Sequence, residues 1–293
     1  YTRRSNLVGL LMKILVTGSD GFLGRHAVKT FQDHDVTEVD ILSGRDCRDV
    51  YASDEYFDIV LHFAAIVGGR ANIDGNPLAV AQTTALDVAL FNYAERVQPG
   101  HVIYPSSSAA YPVDLQQRNV RLHLKEEYID LKYPGLPDSM YGWVKLTGEH
   151  MASRCSANVT CIRPMSGYGP DQDNTYPFGA FRDRALSKED PFVIWGDGLQ
   201  VRDWVHVDDI MNTISTILNE RILGSLNIGT GIPTPFIDLA RMFTSTAGYS
   251  PEFVLLPDKP TGVDYRVADT TKLHDIYVPK ISIEDGIKQA LLK

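Results

Sequence analysis

With 293 residues, 44% of them hydrophobic and 22% charged, the chain has the composition of a soluble globular protein and the length for one doubly wound domain plus a smaller lobe. A formal net charge of −9 argues against nucleic acid and against an anionic membrane as partners, so an anionic ligand must be met by local arginines. Cys47, Cys155 and Cys161 form no CxxC pair and no run of apolar residues reaches membrane length, which excludes a disulfide framework, a zinc site and a membrane span and points to a cytoplasmic protein with reduced thiols.

Residues 1–11 precede Met12 and lack a signal-peptide cleavage pattern; they read as a leader or a remnant of expression. Lys13 to Thr17 is short, apolar and rich in β-branched residues, as expected of a buried parallel strand. Gly18, Gly21 and Gly24 follow as G-x-x-G-x-x-G, and Phe22, Leu23, Ala27, Val28 and Phe31 then fall at helical spacing. Strand, glycine turn and helix start make a dinucleotide site, where missing side chains let a diphosphate reach free N–H groups at the positive helix end.

A second strand is expected near Val36 to Ile41, with Asp40 at its end, about twenty residues past the glycines. An acidic side chain there can accept from the adenosine ribose hydroxyls and would repel a 2′-phosphate, which favours NAD; Arg45 and Arg48 could cradle that phosphate, which keeps NADP as the alternative. Asp46 and Cys47 are placed to meet the adenine, or else form a capped turn. Phe57 to Ala65 reads as a buried strand closing on Ala64 and Ala65, whose small side chains allow a cofactor close.

Pro77 to Val97 is expected to form one long helix, and His101 to Tyr104 a strand ending in the serine run Ser106–Ser108. Residues 112–137 are polar and contain prolines, which suggests a loop over the site. Asp138 or Ser139 can cap a helix running to about Ser156. Val159 to Arg163 is a further strand, and Leu226 to Gly229 a late strand returning to the sheet. A helix over Pro235 to Ala247, a strand-like Glu252 to Leu256 and a last helix from Ile283 complete an α/β pattern. The expected fold is a Rossmann doubly wound parallel sheet over residues 12–166, with returns near 205–232, and a smaller C-terminal α/β substrate lobe over 167–293.

Tyr141 and Lys145 stand four apart on the capped helix and so share a face. An ammonium near a phenol favours the phenolate, which suits Tyr141 to proton transfer, and Lys145 can also bind the nicotinamide ribose. Ser107, at a strand end, can hold a sugar hydroxyl or a developing ketone oxygen, and Ser108 is a second candidate ligand for the sugar. No metal ligand set is evident.

Thr17 to Gly24, His62 to Ala65, Ser106 to Tyr111, Tyr141 to Lys145, Arg163 to Pro170 and Arg202 to Ile210 occur in the order found in extended short-chain dehydrogenases/reductases. From residue 13 to the C-terminus the chain resembles the NAD-dependent nucleotide-sugar epimerases, dehydratases and reductases of that superfamily. Val67-Gly-Gly69, Ser107 to Pro112 and Lys259 to Arg266 are similar to the GDP-fucose synthase and GDP-mannose 3,5-epimerase branch. The resemblance implies a nucleotide-diphosphate sugar as substrate, Pro164 against the cofactor, Val67 and Ser166 against the substrate, Arg202 and Arg266 on its diphosphate, and a homodimer through the helices at 77–97 and 138–156. It also makes Asp203 and Asp209 structural.

Four positions depart from the family pattern. Ala109 stands where the branch carries a cysteine acid/base; Ser108 and Ala109 stand where 4,6-dehydratases carry an acidic pair; and Thr83 and Ser166 replace asparagines. With the hydride machinery kept and the extra acid/base missing, C4 epimerisation through a 4-keto sugar is the expected reaction. A 4-keto-sugar reductase using NADPH is the alternative, and a dehydratase or 3,5-epimerase another if His123, Asp173 or Lys188 supplies the acid/base. A non-catalytic protein that senses NAD(P) is the alternative of another class.

Overall fold

The computed structural model describes residues 11–292, so most of the expected leader lies outside the described residues. The chain runs β1 (Lys13–Thr17), α1 (Phe22–Thr30), β2 (Asp35–Val39), α2 (Cys47–Tyr51), β3 (Ile59–His62), α3 (Arg70–Gly75), α4 (Pro77–Ala81), α5 (Thr83–Val97), β4 (His101–Pro105), β5 (His123–Leu124), α6 (Ser139–Ala152) and β6 (Val159–Pro164). It continues as β7 (Ser166–Tyr168), α7 (Pro177–Leu186), β8 (Phe192–Trp195), β9 (Val201–His206), α8 (Val207–Glu220), β10 (Gly224–Ile228), β11 (Pro233–Pro235), α9 (Phe236–Thr246), β12 (Phe253–Leu256), β13 (Tyr265–Ala268), α10 (Thr271–His274) and α11 (Ile283–Leu291).

Six strands form one parallel sheet in the order β2-β1-β3-β4-β6-β10. Its inner strands are mostly apolar because both faces are covered; Ile14, Leu15, Val16, Val60 and Leu61 are fully buried, whereas the edge strand β2 carries Asp35 and Glu38 to the surface. On one face Ile14 and Val16 pack with Ala27 of α1 and with Ile210, Ile214 and Ile217 of α8. On the other, Leu15, Val60 and Val102 pack with Tyr51 of α2 and Leu90, Phe91 and Ala94 of α5. The strand order reverses between β1 and β3, and that switch point opens a crevice at the carboxyl ends of the strands.

A second sheet of order β11-β9-β13-β5, with β7 beside β9, and a two-stranded β12-β8 ribbon lie over those carboxyl ends. Their core is aromatic, built from Phe178, Phe181, Trp204, Phe236 and Phe243. Asp171 ties this part to α1 by accepting from Arg25 (2.7 Å) and His26 (3.0 Å).

Two expectations need correction. The helix expected over 77–97 tightens at Gln82, whose N–H donates to Ala79 and whose carbonyl accepts from Ala85, and these three-residue steps divide it into α4 and α5. The stretch 112–137 is not a free loop: β5 pairs with β13, Leu124 is fully buried, and its carbonyl accepts from Asn227 Nδ2 at 2.7 Å. A two-residue strand carries no periodicity to read.

α6 is fastened to the sheet by a buried ion pair. Glu149 meets Arg163 of β6 at 2.6 and 2.8 Å, and Arg163 also donates to the Tyr111 hydroxyl and the Glu126 carbonyl, each at 2.9 Å. Glu149→Gln would leave that guanidinium buried without a counter-charge, so urea unfolding should show a loss of about 3–5 kcal/mol. A variant as stable as the parent would mean that the pair does not fasten the helix.

Candidate functional site

The site begins where β1 ends. Gly18 has φ +70°, and a Cβ there would stand 2.5 Å from the Phe63 carbonyl carbon, so the turn can lie against the end of β3 only as glycine. A Cβ on Gly24 would overlap the Gly18 carbonyl, which makes this the closest helix–strand contact of the turn. Gly21 is the N-cap of α1 and offers no side chain to it, so the first N–H groups of the helix are left for an anion.

Asp40 follows β2 directly. Its carboxylate accepts from the backbone N–H of Asp20 (3.0 Å) and Leu42 (2.9 Å), fixing the glycine turn to the second strand. Asp46 caps α2 through the Arg48 N–H (2.9 Å) and also holds the Arg48 guanidinium, so the capped turn is present. Arg45 donates to the Glu38 carbonyl. Cys47 is buried behind Asp46, and burial pushes its thiol up to about 11. Thr83 works from behind: its hydroxyl accepts the Ile66 N–H at 2.9 Å and steadies the loop after Ala64 and Ala65.

At the end of β4, Ser106 donates to Glu149, whereas Ser107 Oγ accepts the Ala109 N–H at 3.1 Å and keeps its own proton available. Ser108 and Ala109 are buried. On α6 the Lys145 ammonium lies 5.8 Å from the Tyr141 ring centroid and 5.2 Å from that of Tyr104. Lys145 is 2% exposed, and its Nζ donates to no residue among the described ones. A buried ammonium without a partner is costly, and a ligand's hydroxyls would satisfy it.

The opposite wall is cationic. Arg202 of β9 donates to the carbonyls of Val201 (2.8 Å) and Thr261 (2.9 Å) but meets no carboxylate among the described residues; burial and the neighbouring Arg266 push its guanidinium down to about 9. Asp138 stands at the N-cap of α6, but its side chain does not make the cap hydrogen bond expected of Asp138 or Ser139. It binds Arg70 (2.7 Å) and Arg266 (2.8 Å) instead. Burial would raise the Asp138 carboxyl, but these two arginines hold it below its ordinary range. Arg70 and Asp138 escaped the sequence reading; the signals were the charge after Gly68-Gly69 and the carboxylate three residues before Tyr141. Asp203 and Asp209 are structural: Asp203 accepts from Thr230, Gly231 and Ala268, and Asp209 from Tyr277, Lys280 and Ile281.

The catalytic, cofactor-binding and substrate-binding residues expected from the sequence all line one cavity of about 840 Å³. Gly18, Gly21, Phe22, Leu23, Asp40, Asp46, Cys47, Ala64, Ala65 and Pro164 lie toward the six-stranded sheet, with Ser107, Ser108, Tyr141 and Lys145 beside them. Val67, Ser166, Arg202 and Arg266 complete the lining. Asp173 also lines it, whereas His123 and Lys188 do not. The volume suits a dinucleotide or sugar nucleotide in part or whole. Among the described residues no group of His, Cys, Asp and Glu could hold a metal, and no helix is long and apolar enough to cross a membrane.

The family described as NAD dependent epimerase/dehydratase matches residues 14–229. A putative GDP-L-fucose synthase 2 of Arabidopsis thaliana is 25% identical, over 94% of this chain and 90% of that protein. A putative UDP-glucose 4-epimerase of Methanocaldococcus jannaschii is 26% identical, over 95% of this chain and 97% of that protein. The solved UDP-glucose 4-epimerase of Thermotoga maritima with UDP-glucose superposes with a TM-score of 0.80 at 26% identity, covering 96% of this chain and 98% of that one. With its Rossmann sheet, its glycine turn and a family match over most of its length, the chain belongs to the NAD dependent epimerase/dehydratase family.

Proposed function

We propose that the chain is a nucleotide-sugar epimerase that works through a transient 4-keto sugar, with inversion at C4 as its net reaction. The observation that carries this reading is the meeting of Tyr141, Lys145 and Ser107 in a cavity whose nearby carboxylates are already engaged. Asp138 is held by two arginines, Asp173 accepts from Thr175, and Ala109 offers no acid or base. Abstraction at C3 or C5, or elimination, needs a further free acid/base; inversion at C4 needs none. The likeness to a 4-epimerase solved with UDP-glucose supports the same reading.

In this reading residues 12–166, with returns near 205–232, hold the cofactor and 167–293 mainly the substrate. NAD, when bound, supplies a hydride acceptor and then a hydride donor at the sugar carbon. Gly18, Gly21, Phe22 and Leu23 receive its diphosphate at the α1 N-terminus, and Asp40, Asp46 and Cys47 face its adenosine end. Ala64, Ala65 and Pro164 pack against it, and Lys145 donates to its nicotinamide ribose. Tyr141 removes the proton of the sugar 4-hydroxyl and, once the keto sugar has turned over in the cavity, returns one to the C4 oxygen, so that inversion comes from the return of the hydride to the other face of C4. The Ser107 hydroxyl holds the C4 oxygen in both steps. Arg202 and Arg266 bind the diphosphate of the sugar nucleotide, with Val67, Ser108 and Ser166 beside the sugar. The protein is assigned to the cytoplasm, as a homodimer through α5 and α6, where Val88 and Trp143 are exposed.

Incubation of the enzyme and NAD with UDP-, GDP-, CDP- and dTDP-sugars, read by NMR of the anomeric protons, should show one pair of C4 epimers interconverting. Arg45 and Arg48 at the adenosine end favour a second reading, a 4-keto-sugar reductase using NADPH. Net consumption of NADPH with a 4-keto sugar, and no epimer formed, would decide for it.

Two variants probe the roles separately. Tyr141→Phe should lower kcat by about 10²–10⁴-fold while leaving NADH affinity unchanged by fluorescence titration. Arg202→Met should weaken binding of a nucleoside diphosphate roughly 10–100-fold by calorimetry, through loss of a charged hydrogen bond. Because it removes an unpaired buried charge, the unliganded protein should melt no lower than the parent. A lower Tm with unchanged affinity would make Arg202 a structural residue.

A further inference from the structure

Behind the cavity a chain of buried polar groups crosses the sheet, and none of them has a part in the reaction as described. Asp87 of α5 is fully buried. Its Oδ1 faces His62 Nε2 at 3.3 Å, and its Oδ2 accepts from the Tyr104 hydroxyl at 2.8 Å. His62 Nδ1 in turn faces the Tyr51 hydroxyl at 2.7 Å and the Thr17 hydroxyl at 3.0 Å. The Lys145 ammonium lies over the Tyr104 ring, 5.2 Å from its centroid.

The titratable groups facing Asp87 are all neutral at pH 7 except one. Burial pushes the thiol of Cys47 on α2 up to about 11 and that of Cys161 on β6 higher still. It raises the hydroxyls of Tyr51 and Tyr104 well above their ordinary value. It lowers His62, with Asp87 opposing only in part, so His62 stays neutral, donates through Nε2 and accepts through Nδ1. Burial would also raise Asp87, but the His62 hydrogen bond and the charge of Lys145 hold the carboxyl below its usual range. Glu149 and Arg163, further along, neutralise each other. One buried negative charge and one buried positive charge thus meet the same tyrosine, and neither has a charged partner within ion-pair reach among the described residues.

We propose that Asp87 is a positioning residue for Tyr141: its charge seats the Lys145 ammonium beside that phenol, and His62, Tyr51 and Tyr104 hold Asp87 in place. The inference rests on the roles of Tyr141 and Lys145 proposed above. Asp87→Asn keeps the volume and the hydrogen-bonding shape while removing the charge. With that charge gone, the ammonium is held less firmly beside the phenol, so kcat falls while KM and NADH affinity stay as in the parent. An unchanged kcat, or a KM and NADH affinity that worsen together with kcat, overturns the proposal.

Lys145→Met reads the same coupling from the other side and needs neither substrate nor turnover. Without the ammonium, the Asp87 carboxyl ¹³C resonance should titrate at higher pH than in the parent, and an unmoved titration overturns the proposal even if Asp87→Asn fails to fold. A moved Asp87 titration beside full activity of Tyr141→Phe would leave the coupling standing and remove the proposed reaction instead.

Discussion

The whole arrangement depends on how closely two strand ends approach one another. β1 and β3 are neighbours in a parallel sheet, and the chain leaving β1 must turn within van der Waals reach of the Phe63–Ala64 backbone. Only a residue with no Cβ and a left-handed backbone fits at Gly18, and only glycine at position 24 lets α1 start so close behind it. The close approach aims the uncapped start of α1 at the switch point. Asp40, bonded to the Asp20 N–H, then fastens the turn to the neighbouring strand. The end of the cavity proposed for the cofactor is thus made mostly of backbone, and side chains serve mainly to hold that backbone still.

The end of the cavity proposed to take the substrate follows a different rule, because it is made of charge. Three guanidiniums, from Arg70, Arg202 and Arg266, converge near one carboxylate, Asp138, with Asp74 taking a share of Arg70. The cluster is short of negative charge in a protein whose overall charge is −9. A local excess of positive charge inside an acidic protein selects an anionic ligand while repelling nucleic acid at the surface. Arg202 has the highest standing cost, being buried and bonded only to carbonyl groups.

The parts legible in the sequence were those governed by short-range rules. The glycine turn, the buried strands and the Tyr141–Lys145 helix each follow from spacing over a few residues, and they stand close to the positions expected. The lining residues came from motif order rather than from geometry, yet they meet in one cavity because most lie just beyond the carboxyl end of a strand or near the start of a helix, while Arg202 and Arg266 enter from the first residues of β9 and β13. What could not be read were contacts set by distant segments. The pairing of β5 with β13 spans more than a hundred residues, and Asp138 looks like a helix cap until Arg70 and Arg266 arrive from elsewhere. Asp87 gave no signal at all, since a lone acidic residue in an amphipathic helix reads as exposed, and only the tertiary fold buries it against His62.

The position of β10 at the sheet edge, and of α8 over one sheet face, bears on how the chain is made. Val205, Val207, Ile210, Ile214, Ile217, Leu226 and Ile228 supply a large part of the apolar layer that covers Ile14, Val16, Leu61 and Ile162. When the chain has emerged only to about residue 200, five of the six sheet strands are out, with one face covered only in part, by α1, and the β6 edge unpaired. Such an intermediate is sticky in both senses, through its apolar surface and its open backbone edge. The chain cannot finish folding from its N-terminus onward, and during synthesis it depends either on the speed with which α8 emerges or on a chaperone to cover that face until it does.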